Sequence, residues 1–396
     1  MRRSSHGLTL ARRSRALGVL GTIALLLACP CAALAQEPAA AAASAERTPS
    51  RFRSPDDGWL DISQFLDTRY GFLPVAQLIT EPAVGFGAAG GLAFIKQPPG
   101  SMRPNITVVG GLGTENGTKG AIAADLRYWL DGRLQTLAGV VFASVNLDYY
   151  GIGHDSVLAE NPLRYELEPT GGVVEAKIRI GRSPVWVGAR YVYAQTGVRF
   201  DAPEGTPGLP ETARWSAEAG ITPSVTVDAR DNLFTPTRGT YIEAGAGLFS
   251  PTLGGDDSFQ RLRLIAMQFV PLGTRFFLGV RGEAAAALGD APFYVKPFIY
   301  QRGVPAMRYL GDEMAQIETE LRWQFWKRFS VVGFGGAGRT WAGSEEVDLS
   351  DKVAAGGGGF RYELARKHGL HVGVDVAGGP AGGVFYIQFG SAWAKP

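Results

Sequence analysis

Few residues in this chain could do chemistry, and their spacing supports little of it. Beyond residue 35 there are three histidines: His154, beside Asp155 and Ser156, and the pair His368 and His371, which flanks a short turn. A hydrolase needs a nucleophile, a base set against it and donors for the developing oxyanion. His154 with Asp155 and Ser156 comes nearest, but no nucleophile motif surrounds them. GFGAAG at residues 85–90 has the glycine pattern of a dinucleotide loop, yet GLAFIK follows it instead of a helix and no acidic residue is suitably placed downstream. Its glycines are better read as letting strands bend and approach closely. No catalytic residue, metal site or cofactor is expected. What remains is charge of mixed sign: Asp125 near Arg127, Glu175 near Lys177 and Arg281 near Glu283.

Those charges sit in segments of strict alternation, and alternation with period two means strands. In AIAADLRYWL, Ile122, Ala124, Leu126, Tyr128 and Leu130 oppose Asp125 and Arg127. In VVEAKIRI, Glu175, Lys177 and Arg179 oppose Val174, Ala176, Ile178 and Ile180; in IETELRWQF, Glu318, Glu320, Arg322 and Gln324 oppose Ile317, Leu321, Trp323 and Phe325. Such segments run longer than the five or six residues usual in a soluble sandwich. Aromatic residues gather near their ends, as an interfacial girdle requires. The apolar faces are therefore expected to meet lipid and the charged faces a lumen, where mixed signs would pair; a substrate-selective lining is the alternative.

Connections support the same architecture. Short turns at DGR, GRS, PLGT and WKRF alternate with long loops at residues 151–162, 201–215, 250–258, 291–312 and 342–351, with DNLFTPTRG as the long exception on the short side. A membrane barrel alternates periplasmic turns and extracellular loops in this way. The expected fold is all-β, a closed antiparallel transmembrane barrel of 16 strands, with VAQLIT as the first strand and VGFGAAGGLAFI as the second.

The N-terminus predicts export. Residues 1–35 carry five arginines and no acid, then LGVLGTIALLLA and an A-x-A site at Ala33–Ala35. LLAC, ending at Cys29, leaves lipoprotein processing open as a second reading, and the paired arginines leave open the twin-arginine route beside Sec export. Taking those five arginines from the 39 basic residues leaves 34 against 37 acidic ones, so no argument for nucleic-acid binding survives. Cys29 and Cys31 are the only cysteines, which excludes a disulfide-stapled domain or a thiolate metal site downstream. Residues 36–70, rich in Ala, Pro, Ser and Arg at their start, are expected to be a disordered periplasmic linker, and residues 71–396 the barrel.

Three stretches resemble one family. VTVDARDNLFTPTRGTYIEAGAG (residues 225–247) is similar to the D-x-R-D-N…P-x-x-G-x-Y segment of the bacterial surface antigen family, the barrel of the BamA and TamA assembly factors and two-partner secretion transporters; it places Asp228, Arg230, Asp231, Gly239 and Tyr241 in that motif. YQRGVPAMRYLGD resembles the family's Arg-Gly loop and ETELRW the strand after it. The terminal FYIQFGSAW resembles the closing strand, with Phe385, Phe389, Gly390 and Trp393 in the signal read by the outer-membrane assembly machinery. Phe385, Ile387, Phe389 and Trp393 share one face of that strand.

The resemblance implies a lumenal loop carrying Arg302 and Gly303. The family's usual acid position falls on Gly336, so Glu318 or Glu320 is expected to receive Arg302. It further implies an outer-membrane location, lipids as surroundings, and help with inserting or translocating a protein or lipid client. The linker is too short for the family's POTRA domains. A passive or structural pore and, third, a lipid hydrolase are the alternatives.

Overall fold

The computed structural model describes residues 52–64, 73–96, 104–153, 156–201, 213–344, 347–380 and 382–393. The expected signal peptide, both cysteines, His154 and Asp155 lie outside the described residues.

Alternating segments become strands, and sixteen of these form one antiparallel sheet. The first eight are β1 (Leu73–Ile79), β2 (Gly87–Lys96), β3 (Asn105–Thr114), β4 (Lys119–Trp129), β5 (Leu134–Tyr149), β6 (Leu163–Arg179), β7 (Val185–Phe200) and β8 (Ala213–Asp228). There follow β9 (Gly239–Phe249), β10 (Phe259–Pro271), β11 (Phe276–Gly289), β12 (Glu313–Trp326) and β13 (Phe329–Trp341). A two-residue hairpin, β14 (Gly343–Ser344) with β15 (Val347–Asp348), decorates the next loop. The sheet then resumes with β16 (Asp351–Ala365), β17 (Leu370–Gly379) and β18 (Gly382–Phe389). Each strand pairs with its sequence neighbour, so the sheet curls into a barrel of 16 strands. β1 begins two residues before the expected segment, and β2 three residues after its own.

The barrel is nearly closed. Among the described residues no backbone ladder joins β1 to β18, and the seam is crossed by the Thr80 hydroxyl donating to the Phe385 carbonyl. Among the described residues no helix is long and apolar enough to cross a membrane; the strands do the crossing.

Burial shows which face is which. Val140 and Phe142 on β5, Val174 and Ile178 on β6, and Leu262 and Leu264 on β10 are exposed outward, while Glu175, Lys177, Arg281 and Glu283 are buried on the opposite face. Trp323 stacks on Phe276 of β11 at 5.8 Å, part of the girdle at the short-turn end.

One strand reverses the expectation. On β4, Leu126 and Tyr128 are buried against Trp186, Ile106 and Leu137 inside the barrel, and Asp125 with Arg127 lies on the outer face. Register fixes this: Ala123 pairs with outward Val140, so Asp125 and Arg127 share its face. The pair satisfies itself there, Arg127 Nε donating to Asp125 Oδ2 at 2.7 Å and Thr107 joining through Asp125 Oδ1 at 2.5 Å.

The other departure is at the N-terminus. Residues 52–64, expected within the linker, fold under the barrel. Arg328, in the turn between β12 and β13, is fully buried and donates to both carboxylate oxygens of Asp57 at 2.8 and 3.1 Å and to Asp61 at 2.8 Å. Trp59 sets its edge against Trp326 and Phe329, each at 5.4 Å. The Arg328 hydrogen bond holds the Asp57 carboxyl down at about 2.

Candidate functional site

The loop between β11 and β12 turns into the barrel instead of out to solvent. Its Phe293, Val295, Ile299, Val304, Met307 and Leu310 are buried among inward-facing strand residues. Glycine makes room for it. A side chain at Gly336 would strike Gln301, whose amide there donates to the Ile317 and Ala337 carbonyls at 3.1 and 2.9 Å. Gly336, the position where the family pattern expects an acid, thus admits a neutral loop contact.

Arg302 follows at once. Its guanidinium donates to Glu318 at 2.9 Å, lies 2.7 Å from Glu320 and donates to Asp375 of β17 at 2.8 Å. Its plane rests 3.6 Å from the Phe334 ring centroid. Asp375 is wholly buried and also receives Arg361 at 2.5 and 2.8 Å. Sequence reading named both glutamates but missed Asp375, Arg361 and Phe334. The period-two alternation of β16 and β17 is the signal that sets Arg361 and Asp375 on the lumenal face, and nothing in sequence ties them to the loop.

Gly303 takes a left-handed conformation, with φ of 89°, and its N–H donates to the Tyr386 hydroxyl of β18 at 2.9 Å. Three residues on, the Ala306 N–H donates to Glu81 in the loop between β1 and β2 at 3.1 Å. The lumenal loop therefore grips both banks of the seam. Burial pushes the Glu81 carboxyl up to about 7, against the opposing pull of its backbone hydrogen bonds.

The motif at residues 225–247 builds the periplasmic mouth. Arg230 clamps Asp228 at 2.9 and 3.1 Å and stacks over Tyr241 at 4.4 Å. Asp231 caps the turn, accepting from the Thr237 and Arg238 N–H groups at 3.0 and 3.2 Å. At Gly239, φ is 107° and a Cβ would lie 2.1 Å from the Ala229 carbonyl oxygen, so the tight return into β9 admits only glycine.

That mouth holds Ser391 and Trp393, and here one expectation needs correction. Phe385 lies on the outer face as expected, Phe389 packs against Ala93 and Val108 across the seam, and Trp393 does not share the outer face. The strand stops at Phe389, Gly390 turns with φ of 74°, and its N–H reaches the His371 carbonyl at 2.7 Å. Ser391 then donates to the Phe234 carbonyl at 2.5 Å, and Trp393 enters the lumen against Tyr241, Ile265, Met267 and Phe269. Its indole N–H donates to Glu318 Oε2 at 2.6 Å. Glu318 thus takes Arg302 from the extracellular side and Trp393 from the periplasmic side.

Other candidates stay apart. GFGAAG forms a turn and the start of β2, paired to β1 and β3 with no helix after it. His371 faces Arg322, whose Nη1 donates to its Nε2 at 2.9 Å. Arg179 is tied to the Ser183 carbonyl at 2.8 Å.

Comparison with known proteins supplies the family. Residues 160–381 match the Omp85 superfamily domain. The fold is similar to BamA from Haemophilus ducreyi lacking POTRA domains 1–3, with a TM-score of 0.54 and 11% identity over 79% of this chain and 68% of that one. It is similar also to CdiB from Escherichia coli (TM-score 0.56, 10% identity, 82% of this chain, 60% of that one). CdiB from Acinetobacter baumannii gives a TM-score of 0.52 at 9% identity, covering 81% and 59%. The chain thus spans about three fifths to two thirds of the length of these structures. No curated protein sequence matches it.

Proposed function

The chain belongs to the Omp85 superfamily, and we propose that this outer-membrane barrel helps insert or translocate a protein or lipid, with the edge between β1 and β18 as the exit. As a barrel of this family it sits in the outer membrane of a Gram-negative bacterium and is not an enzyme.

The observation that carries the reading is the seam. β1 has 7 residues and β18 has 8, and no ladder joins them, although every other neighbouring pair in the sheet is laddered. Pro74 leaves a gap in the donors of β1, and Gly382 and Gly383 open β18. In place of backbone pairing, the lumenal loop bridges the banks through Gly303 to Tyr386 and Ala306 to Glu81. Docking of Arg302 holds that bridge down; its release would free both edges for an incoming strand or an acyl chain. Phe385, Phe389 and Gly390 serve the chain's own insertion by the assembly machinery, and Trp393 locks the result.

A passive pore fits less well, because the buried loop and Trp393 fill the lumen. Arg127 faces outward, so it does not line a pore.

The test is a lock. Thr80→Cys with Phe385→Cys would bridge the seam by a disulfide, in a strain deleted for the gene. The outer-membrane protein and lipid inventory should be restored by the unmodified gene, lost with the oxidised lock, and recovered on reduction. Full restoration by the oxidised lock would refute exit through the seam.

A further inference from the structure

The outer face of β13 and β16, away from the seam, carries two cations in an unusual position. Arg339 and Lys352 are direct cross-strand partners near the extracellular end, and both point outward, because the intervening Thr340 and Val353 are buried inside. Like charges directly opposite one another destabilise a sheet. Among the described residues neither has an ion-pair partner, Glu313 included. Arg339 lies 5.1 Å over Trp341, and its Nε is buried without a hydrogen-bond acceptor. That donor is costly to bury unpaired.

Beside the pair is a place for hydrocarbon. A depression on the lipid-facing wall has Ala286 and Ala315 in its floor and Leu262 and Leu264 along it, and Glu313 with Trp341 closes its extracellular end. Trp341 pairs with Glu313 and Arg339 with Ala315 across β12 and β13, so the cations and the head of the depression adjoin. The site lies at outer-leaflet height, since β13 runs from a short periplasmic turn to a long extracellular loop.

We propose that Arg339 and Lys352 bind the phosphate of a polyacylated, phosphorylated glycolipid of the outer leaflet, whose acyl chains lie in the depression below Trp341. An anion between the two cations relieves their repulsion and supplies the missing acceptor of Arg339. The alanine floor admits chains that bulkier side chains would fill. This site is independent of the seam and stands whether or not the seam opens.

The test uses the full barrel in non-ionic detergent and native mass spectrometry. The probes are bis-phosphorylated hexa-acyl lipid A, the same lipid without phosphates, and phosphatidylglycerol. The unmodified barrel should retain bis-phosphorylated lipid A. The apparent Kd should rise about tenfold or more in Arg339→Ala/Lys352→Ala, the loss expected of a charge-assisted contact. The phosphate-free lipid should bind both barrels equally weakly. Equal retention of lipid A by both barrels would overturn the proposal, as would phosphatidylglycerol or the phosphate-free lipid binding as tightly. Heat-modifiable gel migration confirms folding, and Lys352→Glu alone gives the same reading if the double variant does not fold.

Discussion

The wall formed by β12, β13, β16 and β17 and the edge where β1 approaches β18 are made of the same alternating strands, yet different chemistry holds them. In the wall, strands of 14, 13, 15 and 10 residues are laddered along their length, and Arg302, Arg361, Glu318, Glu320 and Asp375 interlock across the inner face. At the edge, strands of 7 and 8 residues meet without a ladder, and two hydrogen bonds from the lumenal loop span the gap. The rigid wall anchors the loop, and the loop in turn controls the weak edge. Stability is thus concentrated beside the place where motion is proposed, since β17 is the ladder partner of β18.

The contrast can be broken from the wall side first. Asp375→Ala strands Arg361 in a buried setting, takes one of three carboxylates from Arg302 and should cost about 3–5 kcal/mol, read as a lower temperature for loss of the folded band on gels. Arg302→Ala should cost slightly less, because Asp375 keeps Arg361, but should loosen the edge more; unchanged folded-barrel stability and membrane levels would mean the clasp is wrong. Trp393→Phe keeps the packing and removes one donor to Glu318, with an expected loss of about 1.5–3 kcal/mol.

Acidity tests the edge itself. The Glu81 carboxyl is raised from 4.5 to about 7 by burial. Between those values the docked state holds a proton that the released state gives up, so docking weakens as pH rises from about 4.5 to 7. Protease nicking of the loop should therefore increase over that window, and Glu81→Gln should flatten the response.

The smallest effect belongs to the N-terminal strap. Asp57 is lowered from 3.8 to about 2 by Arg328. The unfolded chain binds the proton first, so this contribution is present above about 4 and is lost as pH falls toward 2. Asp57→Asn should remove that acid dependence with a cost of about 1 kcal/mol. Tryptophan fluorescence of Trp59 against Trp326 would follow it.

Much of this was legible from alternation and loop length. Sixteen strands, the short turns, the lumenal face of β6 and β12, and Glu318 or Glu320 as the acid for Arg302 follow from period two and one family pattern; that both meet it comes from the structure. Period two separates two faces without saying which is inside, and β4 shows the consequence. Its apolar face packs against Trp186, Ile106 and Leu137 in the lumen, so Asp125 and Arg127 are left outside. Trp393 was misplaced because a single left-handed glycine, Gly390, breaks the parity on which the reading depended. Asp375 and the docking of residues 52–64 depend on contacts across the barrel mouth and lumen, far apart in sequence, which no local pattern records.

The most direct measurement is amide hydrogen exchange on the barrel in lipid nanodiscs, comparing β1 and β18 with β12 and β13, in the unmodified protein and in Arg302→Ala. Fast exchange is expected at β1 and β18, faster still without Arg302, with strong protection of β12 and β13 in both proteins. Equal protection of β1 and β18 with β12, unaffected by Arg302→Ala, would contradict that expectation.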